Sequence, residues 1–142
     1  MKRLLLDINV VLDILLDRQP HAAASAAVWV KIEKGEVSGF VPAHGLTTIY
    51  YLVERERGAE IARQAVEGIV QVLDVAPVDG AVVRSAMALS WPDFEDAVCA
   101  AAAEATGCDA IISRDPDGFP NPPVPVMDRA CVARVRVNAV GA

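Results

Sequence analysis

Short apolar runs alternate with longer amphipathic ones along nearly the whole chain, and this alternation restricts the fold more than any other feature. Residues 3–8 form the first apolar run, closing on Asp7-Ile8-Asn9, and predict a strand. Val10, Val11, Ile14 and Leu15 then recur at helical spacing until Asp17-Arg18-Gln19-Pro20 stops them. Pro20 opens a second helix, to about Lys34, which Gly35 closes; residues 37–41 read as a second strand punctuated by Pro42. Two amphipathic helices follow, over 43–57 and 59–73, with Gly58 between them. A short strand is predicted at 75–78, a helix capped by Asp79 runs to Ser90, and Pro92-Asp93 opens an alanine-rich helix ending at Thr106-Gly107. Residues 110–113 and 124–127 are the last predicted strands, separated by a proline-rich surface loop, and Asp128 starts a final helix or turn.

Strands that alternate with helices imply a parallel sheet covered on both faces, an α/β fold held in one domain over residues 1–142. In such sheets ligands bind beyond the carboxyl ends of the strands, where the strand order reverses. Asp7 and Asp115 each follow a predicted strand, and Asp96 starts the helix before the Asp115 strand, so all three are expected on that rim.

Composition narrows the class. With 54% hydrophobic and 23% charged residues, the chain can bury a full core without covalent staples. Its longest uncharged run, residues 37–53, is broken by Gly39, Pro42, His44 and Gly45, whereas a membrane span needs about 20 mostly apolar residues. The Met1-Lys2-Arg3 start is followed too soon by Asp7 and Asp13 for a signal peptide, so a soluble, cytoplasmic protein with no membrane partner is expected. Cys99, Cys108 and Cys131 contain no CxxC pair and suit buried free thiols. The net charge of −6 repels nucleic acid from the molecule as a whole, so any polyanion must be met by local chemistry.

That chemistry is carried by acids. Asp93, Glu95, Asp96 and Asp115 crowd together in the C-terminal part, with Asp117 close behind. Aspartates on one rim, with no histidine or cysteine at ligand spacing, specify hard oxygen ligation of the kind Mg²⁺ and Mn²⁺ take. Such ions activate water and clamp phosphoryl oxygens. Plainer roles stand beside this one. Asp93 and Asp96 are spaced as N-cap and N3 of one helix, and Ser113-Arg114-Asp115-Pro116-Asp117-Gly118 also suits a turn. Arg114 can contact a phosphate or pair with Asp117. His21 and His44 stand alone, without a nucleophile at triad spacing, and there is no phosphate-binding glycine loop.

Three segments in order resemble the PIN-domain family: Leu4-Leu5-Leu6-Asp7-Ile8-Asn9-Val10-Val11-Leu12-Asp13, Asp93-Phe94-Glu95-Asp96-Ala97-Val98, and Ala110-Ile111-Ile112-Ser113-Arg114-Asp115. The resemblance covers nearly the whole chain, and its size is similar to VapC-type toxins. It implies a PIN-like three-layer α/β/α architecture with a short central parallel sheet. It further implies a metal-dependent ribonuclease in which Asp7, Asp96 and Asp115, with Asp93 near them, bind Mg²⁺ or Mn²⁺. Asn9, Thr48, Ser113 and Arg114 then serve as substrate-contacting or orienting residues. The implied partners are an RNA substrate, a cognate antitoxin protein and a second copy in a homodimer. One departure stands out: the family places a glutamate in the helix after the second strand, where this chain has Thr48. A catalytically weak RNA- or protein-binding module is therefore the alternative. A phosphatase using Asp7 as nucleophile is a third reading, opposed by Asn9 two residues on and by lysines only at Lys2, Lys31 and Lys34.

Overall fold

A computed structural model describes residues 2–133. The elements run β1 (Arg3–Leu6), α1 (Ile8–Leu15), α2 (Ala22–Glu33), β2 (Ser38–Pro42), α3 (Ala43–Arg57), α4 (Ala59–Val72), β3 (Asp74–Ala76), α5 (Gly80–Leu89), α6 (Phe94–Ala105), β4 (Ala110–Ile112), β5 (Val126–Met127) and α7 (Arg129–Ala133). The strands form one sheet in the order β3-β2-β1-β4-β5, and every pairing is parallel.

Side-chain alternation divides the core between the two faces of this sheet. Leu4 and Leu6 of β1, Val41 of β2, and Ala110 and Ile112 of β4 join α1, α2, α3 and α4 in one apolar cluster. Leu5, Phe40 and Ile111, which are register partners across β2, β1 and β4, join α5 and α6 in the other. The three-layer α/β/α arrangement expected from the sequence is present. Ala97 and Ala100 to Ala103 are buried on α6, so its backbone lies close against the sheet.

The first strand is shorter than expected. β1 ends at Leu6, and residues 7–9, read above as the strand's close, are the start of α1. Asp7 donates its N–H to Ile112 O at 2.9 Å and accepts from Val10 N with its carbonyl at 3.0 Å, so the ladder passes directly into the helix. Gly45 brings α3 against that junction, because a Cβ there would stand 2.9 Å from the Ile8 side chain. Among the described residues no helix is long and apolar enough to cross a membrane.

Candidate metal-binding rim

β1 and β4 are neighbours at the point where the strand order reverses: the chain builds β2 and β3 outward on one side, then returns to place β4 and β5 on the other. The crevice beyond their carboxyl ends is where an open α/β sheet binds ligands. Asp7 follows β1 and is buried, with 7% of its surface exposed. Ser113 follows β4 and is 1% exposed. Its hydroxyl donates to Asp7 Oδ2 at 3.1 Å and accepts from the Asp115 N–H at 3.1 Å. One hydroxyl thus ties the two strand ends together and sets the start of the Asp115 turn. Asp115 is exposed, and its Oδ2 lies over Gly118, where a Cβ would approach to 3.2 Å.

Asp93 and Asp96 arrive from the other side on α6. Asp93 Oδ1 accepts from the Asp96 N–H at 3.0 Å, so Asp93 is the helix N-cap, and the capping role weighed for it above is real. Its charge still reaches the rim. The Asp96 pKa is pushed up to about 7, first by burial and then by Asp93, Asp7, Glu95 and Asp115. Asp7 is raised too, mainly by burial; the Ser113 hydroxyl, the Ile8 N–H and Arg114 pull it back, while Asp93 pushes it up. The fold therefore brings Asp7, Asp93 and Asp115 within electrostatic reach of Asp96, and Asp93 within reach of Asp7.

The remaining candidates sit around them. Arg114 Nη1 is 3.3 Å from Asp13 Oδ1, so its ion pair is with Asp13 rather than the Asp117 considered above. Asn9 is exposed in the first turn of α1, where its Oδ1 accepts from Arg18 Nη1 at 3.4 Å. Thr48 is half-buried on α3, one turn beyond His44.

Three further residues belong to the neighbourhood. Glu95 is raised by burial and then by Asp93 and Asp7. Its place beside Asp96 in the first helical turn was the signal for it. Cys99, fully buried one turn below Asp96, has its thiol pushed well above the ordinary range by burial and by Asp7, Glu95, Asp96 and Asp93. His44 Nε2 lies 3.9 Å from Cys99 Sγ, and burial lowers the imidazole's pKa. Among the described residues, His44 Nδ1 is buried without a hydrogen-bond partner. Nothing local in the sequence joined residues 44 and 99, which the tertiary fold brings together.

The rim's donors are carboxylate oxygens, the hard ligands Mg²⁺ and Mn²⁺ take, and a cation would offset the repulsion that adds to burial in raising Asp96. Among the described residues, no three acid, histidine or cysteine side chains are already drawn into a metal cage. The donor chemistry fits a divalent ion. A pocket of about 240 Å³, lined by residues including Pro77, Asp79, Val82, Ser85 and Thr106, contains none of these acids.

Comparison with known proteins gives the same frame. Residues 3–117 match the PIN domain family. The fold is similar to that of a Rickettsia felis VapBC2 chain, solved bound to a promoter DNA fragment, at TM-score 0.68 and 10% identity over 89% of this chain and 98% of that one. It is similar to the DNA-bound VapBC of Salmonella typhimurium at TM-score 0.67 and 16% identity, covering 91% and 99%. Mycobacterium tuberculosis VapC20, described as a sarcin-ricin loop cleaving toxin, aligns at TM-score 0.63 and 16% identity, covering 76% and 86%. No curated protein sequence matches the chain.

Proposed function

The chain belongs to the PIN domain family, and from this we propose that it is a divalent-metal-dependent ribonuclease, the toxin of a toxin–antitoxin pair. The observation that carries the reading is the gathering of carboxylates at the β1/β4 crevice, where buried Asp7 is tied through Ser113 to the Asp115 backbone and half-buried Asp96, raised first by burial, also feels the charges of Asp93, Asp7, Glu95 and Asp115. Asp7, Asp96 and Asp115, with Asp93 beside them, would hold Mg²⁺ or Mn²⁺. An ion held there would supply a water of lowered pKa and positive charge against the scissile phosphate.

The chain's own residues set the geometry for that chemistry. Ser113 holds the Asp7 carboxylate by one hydrogen bond and the Asp115 backbone by another. Asp93, by capping α6, sets the first turn that aims Asp96 at the crevice. Arg114, anchored on Asp13, places positive charge near Asp7. The partners proposed are single-stranded RNA, an antitoxin protein and a second copy of the chain. The antitoxin is supported by the structural neighbours, several of which are toxin–antitoxin complexes.

The test is cleavage of single-stranded RNA with Mn²⁺ and its abolition by EDTA. Undiminished activity in Asp96→Asn would remove Asp96 from the mechanism. A second reading, a catalytically weak RNA- or protein-binding module, is favoured by Thr48 standing where the family carries a glutamate. RNA affinity without EDTA-sensitive cleavage would select it.

A further inference from the structure

Two arginines stand along one stripe of α1 beside the acid rim. Asn9 and Asp13 are four residues apart on that helix, so their side chains leave the same face, about 6 Å apart along the axis. Arg18 is held on Asn9 at 3.4 Å and Arg114 on Asp13 at 3.3 Å. The stripe begins two residues after Asp7, and Arg114 is close enough to Asp7 to stabilise its charge.

Among the described residues no carboxylate pairs with Arg18, and Arg114 shares its carboxylate with Arg129. Asp13 is fully buried and faces two cations, Arg114 at 3.3 Å and Arg129 at 3.7 Å, which leaves that group one positive charge in excess. Arg18 rests on a neutral amide, in an exposed contact that contributes little to stability. The neighbouring Asp17 carboxylate accepts from Gln19 Nε2 at 3.0 Å instead. A guanidinium has five donors, and one of those on half-buried Arg18, Nη1, is given to Asn9. In a chain of net charge −6 this is a positive strip set against an acid cluster that repels polyanions.

We propose that Arg18 and Arg114 form a contact strip for the phosphate backbone of single-stranded RNA, receiving phosphates adjacent to the one held at the acid rim. The proposal rests on the ribonuclease reading and extends it to a substrate contact that Arg18, outside every motif, supplies.

The experiment is fluorescence anisotropy of a labelled mixed-sequence single-stranded RNA, titrated with protein carrying Asp96→Asn so that the probe stays intact. Arg18→Gln is the informative change, because removing Arg114 would leave buried Asp13 short of a partner. It should weaken binding about two- to fivefold, as loss of one exposed charge contact does. It should also lower the slope of log affinity against log salt by about 0.7, with the melting temperature unmoved. Arg18→Lys should keep the slope. Arg63→Gln, which makes the same charge change at an exposed Glu60 pair on α4, should leave affinity as it was. Affinity and slope unchanged in Arg18→Gln, or an equal loss in Arg63→Gln, would overturn the strip while the nuclease reading stands. Absence of RNA binding by the parent would overturn both.

Discussion

Asp7 and Asp13 lie six residues apart at and within one short helix, both buried, and the protein treats them in opposite ways. Asp13 is surrounded by compensation: Arg114 and Arg129 at ion-pair distance and the Ser25 hydroxyl donating at 3.2 Å. The match is imperfect, since no donor is aligned on Oδ1 for a hydrogen bond although Arg114 stands 3.3 Å away. Asp7 has the Ser113 hydroxyl, the Ile8 N–H and the charge of Arg114, but no ion pair among the described residues, and it shares the rim with Asp93, Glu95 and Asp96. The fold can therefore neutralise a buried carboxylate where it joins α1, α2, α7 and the loop after β4. At the rim it leaves the repulsion standing. An uncompensated cluster costs stability in the metal-free protein, and a cation bound there would relieve it.

The largest effect should come from breaking the compensated side. Asp13→Asn leaves two arginines facing a neutral amide and is expected to cost about 3 kcal/mol, lowering the melting temperature by roughly 10 °C. Chemical denaturation checks it; a loss under about 0.5 kcal/mol would mean the network is ornamental to stability.

At the rim the sign reverses. The folded-state pKa of Asp96 is raised, so the native state holds a proton that the unfolded chain releases from near 3.8 upward. Stability from this group is full at acid pH and falls as pH rises from about 4 through about 7. Asp96→Asn should then raise the melting temperature of the metal-free protein at pH 8 by about 2–4 °C, a figure reduced for solvent screening, with no gain near pH 4. Melting curves across that range decide it, and a destabilised variant at pH 8 would show that the carboxylates are not in conflict.

Two smaller changes sharpen the contrast. Ser113→Ala removes the only side-chain hydrogen bond given to Asp7 among the described residues and should cost about 1–2 kcal/mol. It should raise the Asp7 pKa further, which carboxyl NMR titration reads directly. Gly118→Ala sets a methyl 3.2 Å from Asp115 Oδ2 and should change stability by less than about 0.5 kcal/mol. If Asp115 is a ligand, the same variant should bind Mn²⁺ severalfold more weakly.

Much of this was readable in the chain. The 3.6-residue and alternating patterns fixed helices 43–57 and 59–73 to within a residue of α3 and α4, because their stops are local: Gly58 ends one and opens the other. The rim position of Asp7 and Asp115 followed from strand ends alone. The β1 boundary did not, since Ile8 is as apolar as the strand before it and only the Asp7 hydrogen bond to Ile112 shows where the ladder stops. Arg114's partner was invisible for a related reason. Asp117 is near in sequence, whereas Asp13 is brought close by the pairing of β1 with β4. Likewise His44 meets Cys99 through tertiary packing that no spacing rule encodes.

The most direct test is calorimetric titration of the metal-free protein with Mn²⁺ at pH 7, beside Asp7→Asn and Asp96→Asn. The account predicts binding in the wild type and its loss in both variants. It also predicts that the wild-type heat varies with the ionisation enthalpy of the buffer, because Asp96, poised at about 7, gives up a proton to the solvent as the ion enters. Binding of equal strength in all three proteins would place the ion elsewhere, and no binding in the wild type would contradict a metal site at the β1/β4 rim.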